Sequence, residues 1–184
     1  LQDAIKQKGT HNVVVLSDDR YGSSQKISRL DKLVSLQEDY QQLLAEKSKN
    51  PVEIIQKMMA MPFCHMHGPE HHTMVGSALL TAYKNAGGDI DLKNALYEMQ
   101  KRGKQVPGGS CGFWGACGAG ISAGIFVAIV SRSTPLSTEA WGLSNQMTAK
   151  ALDAIGKNGG PRCCKRNAYL ALEAAIDFVN ENKN

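Results

Sequence analysis

Three short stretches carry the side chains that can do chemistry. PFCHMHGPEHH, residues 62–72, holds Cys64, His65, His67, Glu70, His71 and His72. PGGSCGFWGACGAGISAG, residues 107–124, sets Cys111 and Cys117 among glycines. GGPRCCKR, residues 159–166, places Cys163 and Cys164 between Arg162 and the pair Lys165 and Arg166. Thiolate and imidazole together suit zinc, copper or iron. Four thiolates suffice for an iron–sulfur cluster. Two thiols act as a redox couple when their Cα atoms come within about 4.4–6.8 Å.

Spacing alone does not decide among these. Cys111 and Cys117 are separated by five residues, which is not a zinc-finger spacing. A lone buried cysteine usually behaves as a small apolar side chain. Position argues for more. Each pair follows Gly-Gly near an expected helix start, where free N–H groups and partial positive charge favour the thiolate. Arg162, Lys165 and Arg166 act in the same direction. Adjacent helical residues point about 100° apart, so Cys163 and Cys164 do not pair with each other. Each instead meets a cysteine of the other loop, or joins a metal site. Cys111, Cys117, Cys163 and Cys164 are therefore the candidate catalytic residues. Gly109, Gly112, Arg162 and Lys165 are candidates to cup an anionic group.

Four of the five histidines fall in residues 65–72. His71 begins the stripe Val75, Ala78, Ala82 and should point inward, while His72 leans toward Leu79 and Tyr83. A core histidine that satisfies a backbone carbonyl is the common case. Such crowding beside a cysteine is not common, so Cys64, His65, His67, His71 and His72 join the four cysteines as candidate metal ligands. Glu70 suits a ligand, a general base or a first-turn acid, and the last needs least support. The zinc-hydrolase signature H-E-x-x-H is missing.

The elements that must position these residues read as helices. Ile27, Leu30, Leu33, Val34, Tyr40, Leu43 and Leu44 recur at three and four over residues 24–48. Asn50 and Pro51 suit a cap and a first position, with Glu53 as a capping-box acid. A further helix opens at Pro69-Glu70 and stops at Gly87-Gly88. Asp89 or Asp91 caps the next. Residues 115–131 are apolar nearly all round, which predicts a buried central helix about 25 Å long. Its first turn would hold Cys117. Gly118 with Ser122, and Gly120 with Gly124, lie four apart and permit close helix packing. That compensates the roughly 1 kcal/mol each mid-helix glycine costs against alanine. Phe113 and Trp114 anchor the loop before it. Ser137 caps another helix, and a last one follows Pro161. The expected fold is all-α, a helical bundle wrapped around a buried Gly-rich central helix. Residues 1–22 form an irregular or extended arm around the β-branched run 13–16, and residues 23–184 form one helical domain.

Bulk properties narrow the function classes. A chain of 184 residues with net charge +4 and 21% charged residues has an ordinary soluble balance. It carries no basic block, so no nucleic-acid partner is expected. No stretch reaches the roughly 20 apolar residues of a membrane span, and LQDAIKQKG lacks a signal-peptide core. Five cysteines, an odd number with two adjacent, do not form a secreted disulfide framework. A reducing cytoplasm is expected.

GPEHH, PGGSCGFWGACGAGI and GGPRCCKR together resemble an uncharacterised domain family of anaerobic bacteria and methanogenic archaea, over about residues 62–180. The order Cys111, Cys117, Cys163, Cys164 is also loosely similar to redox-active proteins with a C–GCAxxG–C–C pattern. Here the middle block reads Gly115-Ala116-Cys117-Gly118-Ala119-Gly120 and the last cysteines are adjacent. This second resemblance implies a thiol protein of redox or cluster-binding type. The expectation from sequence is thus a cysteine-based redox or iron–sulfur protein, with a redox partner or small-molecule substrate and room for a homodimer. The alternatives are a mononuclear zinc site, structural or hydrolytic, and a small-anion-binding module.

Overall fold

The computed structural model describes residues 41–182, and all regular structure among them is helical. The arm expected over residues 1–22 and most of the helix expected over 24–48 lie outside the described residues; 41–45 are helical. Seven helices follow: α1 (Pro51–Met59), α2 (His71–Asn85), α3 (Leu92–Gly103), α4 (Ser110–Phe113), α5 (Gly118–Val130), α6 (Glu139–Asn158) and α7 (Cys164–Glu181).

Several boundaries follow from local chemistry. Asn50 caps α1, accepting from the Val52 N–H at 2.9 Å, with Pro51 in first position. Glu53 does not complete a capping box; it accepts from the Ser48 hydroxyl at 2.7 Å. Asp91, rather than Asp89, caps α3. Gly87, at φ +102°, ends the turn after α2.

Two expected starts move. Ser137 does not cap α6; its hydroxyl accepts from the Thr134 N–H, and Thr138 occupies the cap position. The central helix begins at Gly118, three residues later than expected. Ser110 holds the intervening chain, accepting from the Ala116 N–H at 3.2 Å while its hydroxyl donates to the Ala116 carbonyl at 2.8 Å. Gly115 supplies the φ of +65° that this loop needs. Cys117 therefore caps α5 instead of lying in its first turn.

The central helix packs against α2, α3, α6 and α7, as its all-round apolar character requires. Its small residues permit close approach. A Cβ on Gly120 would come within 2.8 Å of Leu152, and one on Gly124 within 3.0 Å of the Ser144 carbonyl. On the other side Ser122 accepts from the Gly76 N–H at 2.9 Å. Among the described residues, Ile54, Ile55, Met74, Leu80, Leu96, Met99, Met147 and Leu172 are the largest fully buried apolar ones. Each such burial contributes about 1.5–3 kcal/mol. This frame puts the loops before α5 and α7 side by side.

A candidate thiol cavity and a histidine loop

The N-terminal ends of α5 and α7 border a cavity of about 430 Å³. Cys111 and Cys117 line it, with Gly112, Arg162, Arg166 and Asn167. Asn167 is 4% exposed and donates its side-chain N–H to the Cys117 sulfur at 3.5 Å. The Asn167 side-chain carbonyl accepts from Arg166 Nε at 3.3 Å. Arg166 Nη2 is fastened in turn to the Gly159 and Pro161 carbonyls, at 2.8 and 3.0 Å. Two guanidinium groups, two thiols and a buried amide thus share one small space.

The remaining site residues divide. Cys164 does not line the cavity; it is hydrogen-bonded to the Gly68 backbone and lies in the neighbourhood of Cys117 and Cys111. Burial pushes its thiol up, and outweighs the Arg162 charge that acts the other way. The sequence expectation that basic neighbours and the helix end would lower it is corrected by that desolvation. Cys163 occupies the cap position of α7 and does not line the cavity. Gly109, at φ +85°, caps the short α4 and lies against the Phe113 ring rather than in the cavity. Lys165 reaches the Met59 carbonyl at 3.3 Å, away from it. Phe113 and Trp114 do not anchor the loop, being 88% and 69% exposed.

Around the histidines, α2 buries His71 and His72 as their register predicts. His72 Nδ1 sits 3.0 Å from the Val106 carbonyl, and its ring fills the space where Gly118 has no Cβ. Burial lowers its proton affinity, with the Arg162 charge adding to the effect. His71 Nε2 lies 3.0 Å from the His65 carbonyl, and burial likewise favours its neutral form. Cys64 Sγ, a Glu70 carboxylate oxygen and a His71 ring nitrogen lie within 4.8 Å of one another, an arrangement able to hold a metal ion. Among the described residues, no such group includes Cys111, Cys117, Cys163 or Cys164. His65 contacts Glu70, Nδ1 to Oε1 at 3.3 Å, while His67 is exposed and belongs to no such group.

Asn167 escaped the sequence reading. Its signal was a polar residue beside Ala168 on a helix whose neighbouring inward positions are alanine, one turn beyond Cys164. The role of Glu70 was also broader than a first-turn acid: its carboxylate accepts from the His65 backbone N–H at 2.9 Å.

The fold and site define an all-helical thiol-rich bundle with a loop suited to metal. Over residues 40–184 the chain matches a family described as Family of unknown function (DUF5714), and it belongs to that family. No curated protein and no solved structure matches it. No described helix is long and apolar enough to cross a membrane.

Proposed function

We propose that the protein is a thiol–disulfide redox protein of the cytoplasm, with Cys117 and Cys111 as its couple. The observation that carries this reading is the shared cavity, in which both cysteines stand with Arg162, Arg166 and Asn167. The Asn167 N–H orients the Cys117 sulfur. Cys117 attacks a disulfide of the partner and releases one thiol. Cys111 then attacks the mixed disulfide and releases the second. Two electrons pass to the partner, and the protein keeps a Cys111–Cys117 disulfide. Gly112 and Gly115 between them meet nothing within 4 Å where a Cβ would stand, so the segment has room to bend. The guanidinium groups suit a small substrate carrying carboxylates. A dithiol couple is preferred to an iron–sulfur cluster because, of the four cysteines, Cys111 and Cys117 line the cavity while Cys163 and Cys164 do not.

The test is oxidation with a low-molecular-weight disulfide bearing carboxylates, followed by peptide mapping without reductant. A Cys111–Cys117 bridge is expected, lost in Cys117→Ser and replaced by a stable mixed disulfide in Cys111→Ser. Oxidation that leaves both thiols free in the wild-type chain would overturn the reading. Ligand retention without thiol chemistry in both variants would favour a plain anion-binding module.

A further inference from the structure

Away from the cavity, the loop between α1 and α2 brings together one thiol, one carboxylate and one imidazole. We propose that Cys64, Glu70 and His71 bind a single borderline-soft divalent cation, zinc foremost, with its fourth position left to water. The proposal is independent of the thiol couple, since it uses none of the cavity's sulfurs.

Donor spacing is near that of a bound ion. Tetrahedral zinc with a Zn–S bond of about 2.3 Å and a Zn–N bond of about 2.0 Å separates sulfur from nitrogen by about 3.5 Å. Cys64 Sγ is 3.9 Å from His71 Nε2, so shifts of a few tenths of an ångström complete the geometry. The donor set selects the ion. Sulfur and imidazole disfavour magnesium and calcium, which take oxygen ligands. Charge balances as well: Cys64 releases its thiol proton to solvent on binding, and one thiolate with one carboxylate neutralises a divalent ion.

The surroundings are shaped for these ligands. The Glu70 carboxylate is oriented by the His65 N–H at 2.9 Å, as outer hydrogen bonds orient ligating carboxylates. Gly68 lies directly against that carboxylate, in space that any Cβ would fill. His71 is 1% exposed, and its Nε2, the nitrogen beside Cys64 Sγ, also lies 3.0 Å from the His65 carbonyl. An ion bound at Nε2 takes the place of that carbonyl as its partner and leaves the ring proton on Nδ1. His65 and Met66, next to Cys64 in the chain, are exposed, and the fourth ligand is taken as water.

The experiment is titration of the chelator-stripped full chain with zinc and, separately, with cobalt. One zinc per chain is expected, and sulfur-to-cobalt charge-transfer absorption should appear on cobalt binding. Because His71 is fully buried, the variants are Cys64→Ser and Glu70→Gln, each checked for helicity. Each should weaken affinity by about tenfold or more. Cys117→Ser should bind as the parent does. Zinc well below one equivalent, a cobalt spectrum unchanged in folded Cys64→Ser, or unaltered affinity in folded Glu70→Gln would overturn the proposal. Loss of zinc in folded Cys117→Ser would move the ion to the cavity and overturn it equally.

Discussion

Asn167 donates its side-chain N–H to the sulfur of Cys117 across 3.5 Å, tying the first turn of α7 to the cap of α5. The same amide accepts from Arg166, so one buried side chain fixes both a thiol and a guanidinium of the cavity. Replacing Asn167 by alanine removes both bonds and leaves partners unmatched. The expected cost is about 1–3 kcal/mol of stability. A lower denaturant midpoint at unchanged slope measures it. Alkylation of Cys117, followed by mass spectrometry, should slow relative to Cys111 in the same sample. Equal slowing at both thiols would show that the amide has no specific effect on Cys117, and faster alkylation of both would show a general loss of structure instead.

Glycine content in the helices gives a paired prediction. A Cβ on Gly124 would collide with the Thr148 hydroxyl and stand 3.0 Å from the Ser144 carbonyl, which is backbone and cannot yield. Gly124→Ala should therefore destabilise by about 1–3 kcal/mol through overpacking. Gly142, inside α6, meets nothing within 4 Å where a Cβ would stand. Gly142→Ala should be neutral or stabilise by up to about 1 kcal/mol, since alanine is the better helix former. Thermal melts of the two variants decide the matter; a shift in the same direction for both would contradict the close-approach account of α5 and α6.

What the sequence showed and what it hid divide along the range of the interactions. Asn50, Asp91 and the Gly87 stop announce themselves because a cap satisfies backbone groups only a few residues away. The pairing of Gly120 and Gly124 with a neighbouring helix was legible from spacing and cost. The start of α5 was not, because the apolar run itself continues back to Gly115. Only the two bonds between Ser110 and Ala116 reveal that the chain is held in a loop there. The environment of Cys164 was misread for a related reason. Local charge is written beside it in the sequence, while the burial that outweighs it comes from distant segments. The crowding of Cys64 and His71 is visible in the chain; that Glu70 joins them is not, because a first-turn acid explains that residue equally well. The Asn167–Cys117 contact spans fifty residues, and no spacing rule finds it.

The Cys164 thiol has a direct consequence for pH. Burial raises its affinity for the proton above the ordinary value of 9.0. Above pH 9 the unfolded chain has lost that proton while the folded chain keeps it. Folding stability should therefore be full below that pH and decline as pH rises toward the folded value. Chemical denaturation at a series of alkaline pH values measures the slope. Cys164→Ala should flatten the contribution from this group. An equal or steeper decline in that variant would show that other groups govern the alkaline limb.

Trp114 lies in the five-residue segment between Cys111 and Cys117, and it is exposed. Joining the two sulfurs closes that segment into a ring with a Cα separation of about 4.4–6.8 Å and so changes the surroundings of Trp114. The other tryptophan, Trp141, stands at the beginning of α6 and is half exposed, so its emission would obscure the signal. A Trp141→Phe variant leaves Trp114 as the sole reporter. Its emission should change in wavelength or intensity on addition of a disulfide oxidant and return with a dithiol reductant. The change should vanish when either Cys111 or Cys117 is serine. It should persist when Cys163 is serine, because that residue does not line the cavity. A fluorescence change that survives loss of Cys117 would place the oxidised pair elsewhere in the chain and remove the basis for assigning the couple to this cavity.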